Sequence, residues 1–201
     1  MGYNIVRLVI AAIVGLTLIL GVVKVREIKA FPKPVLVVAF LGYLLLFSLL
    51  FEIPFENSFL TFESPEAVLR YWDGGRAEAI IEGLDSSMVI YRRSQTLNSR
   101  IIPRSDSGYA IPGRKDTQIV LENFQAPHFW RVWRVNGTND YYISGSLVPI
   151  GSTIEIARGA DNLAEHDMVH VERSHFFFVY LHSLNEHDYF IINGERIRIL
   201  D

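Results

Sequence analysis

The sequence predicts an α+β membrane protein, in which two N-terminal transmembrane helices precede a domain with one helix packed on a mainly antiparallel β-sheet. Three observations lead to this fold class. Two apolar runs fill most of the first 55 residues, one strong helix-start signal follows, and short segments rich in β-branched and aromatic residues then continue to the end. Short segments of this kind are typical of strands, whereas a long apolar run is typical of a helix in lipid.

The two apolar runs are residues 8–23 and 34–51, and neither contains a charged side chain. A helix needs about 20 residues to cross a bilayer core, and apolar flanking residues extend the runs to spans of 5–23 and 34–53. Neither run has the polar face of a core helix in a soluble protein. A cleaved signal peptide is the other alternative, but no small-residue cleavage site precedes the second run. We therefore predict a transmembrane helical hairpin over residues 1–55.

Basic residues predict how this hairpin is oriented. The connector 24–33 carries four basic residues against one acid, whereas no Lys or Arg occurs from residue 34 until Arg70. Because positively charged loops stay in the cytoplasm, both termini are expected on the outer side. Arg7 and the N-terminal amine oppose this orientation with fewer charges. The domain of residues 56–201 is therefore predicted to be extracytoplasmic and held at the cell membrane.

Composition limits the chemistry and the partners of this domain. The chain has no cysteine, which excludes disulfides, thiolate metal sites and cysteine nucleophiles. All but one of its 22 acidic residues lie after residue 51, whereas five of its 19 basic residues lie before it. An acidic domain repels phosphate backbones, so nucleic acid is not expected as a partner.

The domain is predicted to open with a short juxtamembrane linker, residues 52–62, and then a helix. Ser64 is placed as the N-cap, Pro65 at the first helical position and Glu66 in the first turn, which together mark a helix start. The run Asp73-Gly74-Gly75 is expected to end this helix. A second short helical stretch is predicted over residues 76–82.

Through the remainder of the chain, short segments in which apolar and polar residues alternate predict strands. Asn136-Gly137 and Asn193-Gly194 each separate two such segments, and both dipeptides are strong hairpin signals. Strands joined by tight turns form an antiparallel sheet, and the absence of crossover helices argues against a parallel one. The predicted strands are residues 88–91, 101–102, 118–121, 129–135, 141–147, 153–157, 176–181, 189–192 and 197–200.

Two groups of residues carry a resemblance to known proteins. The first is the run FESPEA at 62–67, followed by Tyr71 and Ile81-Glu82-Gly83; the second is the aromatic strand 176–180 with Asp188-Tyr189 and the closing Ile192-Asn193-Gly194. In these segments the chain resembles small extracytoplasmic proteins of Gram-positive bacteria that are anchored by a lipid or by transmembrane helices. The resemblance implies an extracytoplasmic location and a β-rich domain, and it implies no activity. This chain lacks the cysteine that a lipid anchor requires.

A histidine cluster raises the possibility of a metal site. His166 and His170 are spaced like the two zinc ligands of a helical metalloprotease motif, with Asp167 where that motif has its catalytic glutamate. The third ligand would come from His175, His182 or His187. Because Val169 and Val171 flank His170 as in a strand, the alternative is a set of strand or surface histidines. A zinc-binding sensor or hydrolase is therefore the alternative function, with zinc as its cofactor.

An aromatic cluster predicts a ligand-binding patch. Large rings and an arginine fall close together in the sequence, and such rings stack on sugars or peptides. If 129–135 is a strand, each of its faces carries an aromatic ring and an arginine, which a sheet packed on one side does not show. Packing in the core is the other interpretation. The predicted patch consists of Trp130, Arg131, Trp133, Tyr141 and Tyr142.

The leading functional prediction is a non-enzymatic, membrane-tethered binding module of the cell envelope that needs no cofactor. The sequence has no Walker loop, dinucleotide glycine motif or nucleophile elbow. The expected partner is another envelope protein or a wall component. A membrane protein that protects its host against a toxin is a further alternative, and the sequence does not predict the oligomeric state.

Overall fold

A computed structural model describes residues 2–28, 33–124, 128–146, 153–158, 162–163, 166–170 and 176–200. The helices are α1 (Gly2–Ile28), α2 (Lys33–Glu52) and α3 (Pro65–Trp72), and a short 3-10 helix (Phe55–Ser58) lies between the last two. The thirteen strands among these residues are β1 (Ala77–Glu82), β2 (Ser86–Arg93), β3 (Thr96–Ser105), β4 (Gly108–Tyr109), β5 (Thr117–Asn123), β6 (Phe129–Val135), β7 (Asp140–Ser146), β8 (Ile154–Arg158), β9 (Asn162–Leu163), β10 (His166–His170), β11 (Phe176–His182), β12 (Asp188–Ile192) and β13 (Glu195–Arg198).

Helices α1 and α2 form an antiparallel pair. The Tyr43 hydroxyl donates a hydrogen bond to the carbonyl oxygen of Ala11 at 3.2 Å, and its ring closes against Gly15, where any larger side chain would crowd it. Among the described residues, Tyr3–Lys24 of α1 is long and apolar enough to cross a membrane, and Val37–Leu49 of α2 is a shorter apolar segment. The structure thus contains an apolar N-terminal helix of spanning length.

Helix α3 confirms the predicted start and end. Ser64 is the N-cap, and its hydroxyl accepts a hydrogen bond from the backbone N–H of Ala67 at 3.2 Å. The N–H of Asp73 closes the last turn on the Leu69 carbonyl at 2.8 Å. The second predicted helix is wrong, because residues 77–82 form strand β1. This segment pairs with β2 along its length, and tertiary pairing overrides the helical preference of its Ala and Glu residues.

Every strand pair in the described part of the chain is antiparallel. The sequence predicts one sheet, and the structure has three: sheet 1 (β1-β2-β3-β4), a central sheet (β10-β11-β7-β6-β5) and sheet 3 (β13-β12-β8-β9). Both hairpin predictions are confirmed. Gly137 has a φ of 80°, and Asn193 and Gly194 have φ of 51° and 86°, the left-handed conformations that tight hairpin turns require.

The sheets stack in layers, with the central sheet buried on both faces. One face packs on sheet 3 through a core that includes Trp130, Val132 and Phe190. The other packs on sheet 1 through Met88, Ile90 and side chains of the central strands. The outer face of sheet 1 packs in turn on α3. The order of layers is therefore helix, sheet 1, central sheet and sheet 3.

A buried ion pair joins the helical hairpin to this domain. Arg7 of α1 donates two hydrogen bonds to Glu56 of the 3-10 helix, at 2.8 and 2.7 Å, and a third to the carbonyl oxygen of Ile53 at 2.9 Å. Both side chains are inaccessible to solvent. The Tyr3 ring lies 4.0 Å from the Arg7 guanidinium carbon and covers it. In the sequence, Arg7 is a positive charge that opposes the predicted orientation of the hairpin. In the structure, it is one partner of a buried ion pair.

The linker after α2 is fixed to the domain rather than free. The side-chain amide of Asn57 donates to the carbonyl of Ile111 and its oxygen accepts from the Ile111 N–H, both at 2.8 Å. Phe62 and Tyr109 exchange two backbone hydrogen bonds at 3.0 and 2.8 Å. Because Asn57 and Phe62 lie within ten residues of the end of α2 and each makes two hydrogen bonds to the domain, the hairpin and the domain are held in one relative position.

Breaking the ion pair from one side should destabilise the protein more than removing it entirely. Arg7→Met or Glu56→Met alone leaves an unpaired buried charge and is expected to cost about 3–5 kcal/mol, whereas the double variant should recover most of that loss. Thermal unfolding of the full chain in detergent micelles, followed by tryptophan fluorescence, measures each variant. Additive losses in the double variant would contradict a coupled pair.

Candidate functional site

A cavity of about 380 Å³ lies where the helix ends meet sheet 1 and the central sheet. Its walls come from every layer except sheet 3, so only the folded protein assembles it. The side chains that distinguish it are two indoles and two guanidinium groups, with Tyr3 and Glu52 at the helix ends. They are Trp72, Trp133, Arg100 and Arg114.

The two tryptophans stand on different elements and are held by their neighbours. Trp72 is the last residue of α3, and the Tyr3 ring meets it edge-on with centroids 6.5 Å apart. Trp133 lies on β6, and its indole N–H donates to the Ser144 hydroxyl at 3.4 Å. Both rings are half-buried. Both indoles therefore line the cavity while neighbouring side chains hold them in place.

The two arginines reach the cavity from opposite sides. The Arg100 guanidinium carbon lies 5.2 Å from the Trp72 ring centroid, in a cation–π arrangement, and its side chain is exposed. Arg114 lies within a turn that is closed by a 2.6 Å hydrogen bond from the Gly113 N–H to the Asp116 carboxylate. Its guanidinium is 3.5 Å from the Glu52 carboxylate, and both groups are largely exposed. The cavity therefore holds two guanidinium groups against one carboxylate.

Tyr91, on the helix-facing side of sheet 1, lies close to this cavity. Burial is the main cause that raises the pKa of its phenol, and its hydrogen bond with Asp73 raises the pKa further. Arg100 works in the opposite direction, because a nearby positive charge favours the phenolate. The phenol therefore stays neutral at physiological pH, and it is joined to Arg100 by a side-chain hydrogen bond.

The predicted aromatic patch is only partly realised. Trp133 reaches the cavity, and the Arg131 guanidinium lies 5.2 Å from its ring while also pairing with Glu122. Trp130 and Tyr142 are buried, as the alternative of core packing expects, because the central sheet is covered on both faces. Trp130 packs on Phe190, with centroids 5.4 Å apart.

Tyr141 is half-buried and lies under Arg134, away from the cavity. Trp72 and Arg100 were not predicted as site residues, because they lie on a helix and a strand that only the tertiary fold brings together. The predicted start of α3 at Ser64 is the one sequence signal that bears on Trp72, because it places Trp72 in the last turn of that helix.

A second, shallower groove of about 220 Å³ lies at the edge of the central sheet. Phe124, Phe129 and Phe176 are exposed along it. Gly145 forms its floor, where a Cβ atom would come within 2.4 Å of the Phe177 ring. Trp130 and Arg131 of the predicted patch also line this groove, whereas Tyr142 does not.

The helical zinc motif is wrong for residues 166–170. They form strand β10, which pairs with β11. Residues four apart in a strand are separated by about 13 Å, whereas on a helix their Cβ atoms are roughly 5–6 Å apart. His175 lies outside the described residues. His182 approaches Asp140 at 3.5 Å, and His187 is exposed in the turn before β12. Among the side chains that the structure describes, no group suited to a metal ion occurs.

A polar cluster of Ser86, Asp140, Tyr142 and Tyr180 has catalytic residue types but no access. Asp140 accepts hydrogen bonds from the Ser86 hydroxyl and from the Tyr180 hydroxyl, both at 2.8 Å. The Ser86 hydroxyl is also 3.0 Å from that of Tyr142. All four side chains are buried. The cluster therefore links the β1–β2 turn to the central sheet and has no room for a substrate.

Comparisons of the chain with protein-family models, with curated proteins and with solved structures give no match.

The buried tyrosines predict a loss of stability in alkaline solution. Burial is the main cause that raises the pKa of Tyr180 from 10.0 to about 12. The hydrogen bond to Asp140 adds to this increase, whereas the hydrogen bond from the Leu84 N–H opposes it. The folded state therefore favours the neutral phenol. The neutral Tyr180 phenol contributes fully to the free energy of unfolding below the pKa of the unfolded state, which is about 10. This contribution is lost as the pH rises through the folded-state pKa of about 12. Burial shifts the pKa of Tyr142 in the same direction.

Urea unfolding of the full chain in micelles at a series of pH values from 8 to 11.5 measures this dependence. We expect the wild-type free energy of unfolding to fall above pH 10, and the fall to be shallower in Tyr180→Phe and in Tyr142→Phe. Equal slopes in all three proteins would show that neither phenol carries the effect.

Proposed function

We propose that the protein is a non-enzymatic, membrane-anchored binding module of the cell envelope, with the cavity at the helix ends as its binding site. One observation carries this proposal: exposed guanidinium groups and half-buried indoles converge in a preformed cavity directly above an apolar helical hairpin. Indole and guanidinium side chains are enriched where proteins bind other molecules. The Arg7–Glu56 pair supports the proposal further, because it holds the cavity at a constant distance from the hairpin.

Two membrane spans are part of this proposal. Helix α2 returns alongside α1, so a chain that crosses in α1 crosses back in α2. The large apolar side chains along both helices are mostly exposed, among them Leu16, Ile19, Val38 and Leu45. Such surface is costly in water and stable in lipid. Tilting or flanking residues can compensate for the shorter apolar segment of α2.

We further propose that the domain is extracytoplasmic. The basic connector and the domain lie at opposite ends of the hairpin, so the positive-inside preference of the connector directs the domain outward. The resemblance to anchored extracytoplasmic proteins of Gram-positive bacteria implies the same side. Tethering would raise the local concentration of the module at the membrane, so that a weak contact with an envelope protein or wall component becomes effective.

The natural lack of cysteine allows a direct test of spans and orientation. Single variants Ala30→Cys in the connector and Ser107→Cys in an exposed turn of sheet 1 are labelled on whole cells with a membrane-impermeant maleimide. Two spans with an outer domain predict labelling of Ser107→Cys at once and of Ala30→Cys only after permeabilisation. The cysteine-free parent is the control.

Each alternative topology gives a different pattern. Labelling of both positions, or of neither, on intact cells would show that α2 does not cross the membrane. Labelling of Ala30→Cys alone would place the domain in the cytoplasm and overturn the proposed location.

A further inference from the structure

We infer that the cavity binds the phosphate of an anionic membrane lipid, with Arg100 and Arg114 as the groups that hold it. This inference deepens the proposed function and rests on it, since the cavity faces lipid only if the hairpin crosses the membrane.

The cavity lies at the level where a lipid headgroup would lie. Tyr3 and Glu52 line it, and they are residues of the first turn of α1 and the last turn of α2. Ile53 and Phe59 are next to this level and more than half exposed. Exposed apolar side chains just outside a span indicate that the interfacial region reaches them. A phosphate in the cavity would therefore belong to a molecule whose chains can enter the bilayer.

The donors fit a phosphodiester. Guanidinium groups bind phosphate oxygens through paired, charge-assisted hydrogen bonds. Arg100 stacks on Trp72 and forms a side-chain hydrogen bond with the Tyr91 phenol. The Asp73 carboxylate, which also lies next to Tyr91, pairs with Arg93, and no ion pair between described residues engages the Arg100 guanidinium. The side chains of Ser99 and Thr117 add hydroxyl groups to the same wall. Two cations and two hydroxyls suit one singly charged phosphate.

The aromatic walls fit the remainder of a lipid headgroup region. Tyr3, Trp72 and Trp133 are amphipathic rings, and such rings concentrate at membrane–water interfaces. A soluble phosphate would use the arginines but would leave the indole faces in contact with water. A lipid would cover them with its glycerol and the first methylenes of its chains. This difference favours a lipid over free phosphate.

Glu52 is the carboxylate that a lipid phosphate would replace. It lies 3.5 Å from Arg114 and is exposed, so the pair is weak and can exchange partners. When no lipid is bound, Glu52 neutralises Arg114. Removing its charge should therefore strengthen lipid binding, whereas removing the arginines should weaken it.

The test uses the full chain in dodecyl maltoside micelles, with thermal unfolding followed as lipid is added. Phosphatidylglycerol should raise the unfolding midpoint, because a ligand of the folded state stabilises it. Phosphatidylcholine, whose phosphate is already paired with its own cation, should raise it much less, and millimolar sodium phosphate should have little effect. Arg100→Gln/Arg114→Gln should lose at least tenfold in affinity, and Glu52→Gln should gain severalfold.

Arg70→Gln/Arg134→Gln is the matched control, because it removes two exposed arginines outside the cavity. It should keep the wild-type response. Equal weakening in both double variants would reveal general charge attraction and overturn the site. Equal stabilisation by sodium phosphate would overturn the lipid as its source. A lower midpoint of the cavity variant without lipid would show a structural role, and native mass spectrometry of bound phosphatidylglycerol then decides, since it counts lipid on folded protein.

Failure of this inference and failure of the proposed function are separable. Lipid binding is measured in micelles and does not depend on the side of the membrane on which the domain lies. Cysteine labelling measures that side and the number of spans. Labelling that places the domain in the cytoplasm would overturn the proposed function and leave the phosphate site intact. Correct topology without selective lipid binding would overturn the site alone.

Discussion

The arrangement of this protein depends on the buried pair of Arg7 and Glu56. Two charges removed from water are tolerated only when their geometry is good and their other donors and acceptors are satisfied. The bidentate contact and the Ile53 carbonyl meet most of this requirement. The Arg7 group that has no hydrogen-bond partner, Nη1, is buried in the same cluster, where the Tyr3 and Phe55 rings lie next to the guanidinium. The pair therefore favours one orientation of the domain relative to the helical hairpin, because other orientations would leave one of the two charges buried without its partner.

The fixed orientation determines which residues lie together where the domain meets the helical hairpin. Asn57 and Phe62 extend the connection from Glu56 to the edge of sheet 1, so the segment after α2 has little freedom. Tyr3 then contacts both Tyr71 and Trp72, which ties the start of α1 to α3. With these contacts in place, the end of α2 becomes a wall of the cavity. A flexible linker would have left the same arginines on an open surface.

Local chemistry predicted the local elements, and long-range packing decided the rest. The Ser64 cap and both Asn-Gly turns act within a few residues, so the sequence is sufficient to place them. The number of sheets depends on contacts between residues far apart in the sequence, and it determines whether the two faces of β6 are buried or exposed. Rings on both faces of this strand suggested an exposed patch, but a sheet covered on two sides has the same pattern. Trp130 therefore belongs to one core, and Trp133 to the margin of another.

The same layering explains why polar groups of similar types have different roles in this protein. Ser86 and Asp140 lie between two sheets, where every hydrogen bond that they make is internal and a Cβ atom on Gly83 would already clash with Tyr142. Arg100 and Arg114 lie where the layers end, and their exposed guanidinium groups keep donors available. An overall acidic domain can therefore still attract an anion, because over distances shorter than about 8 Å the nearest charges outweigh the screened remainder. Position at the edge of the layers, rather than residue type, therefore determines which polar side chains keep donors exposed to solvent.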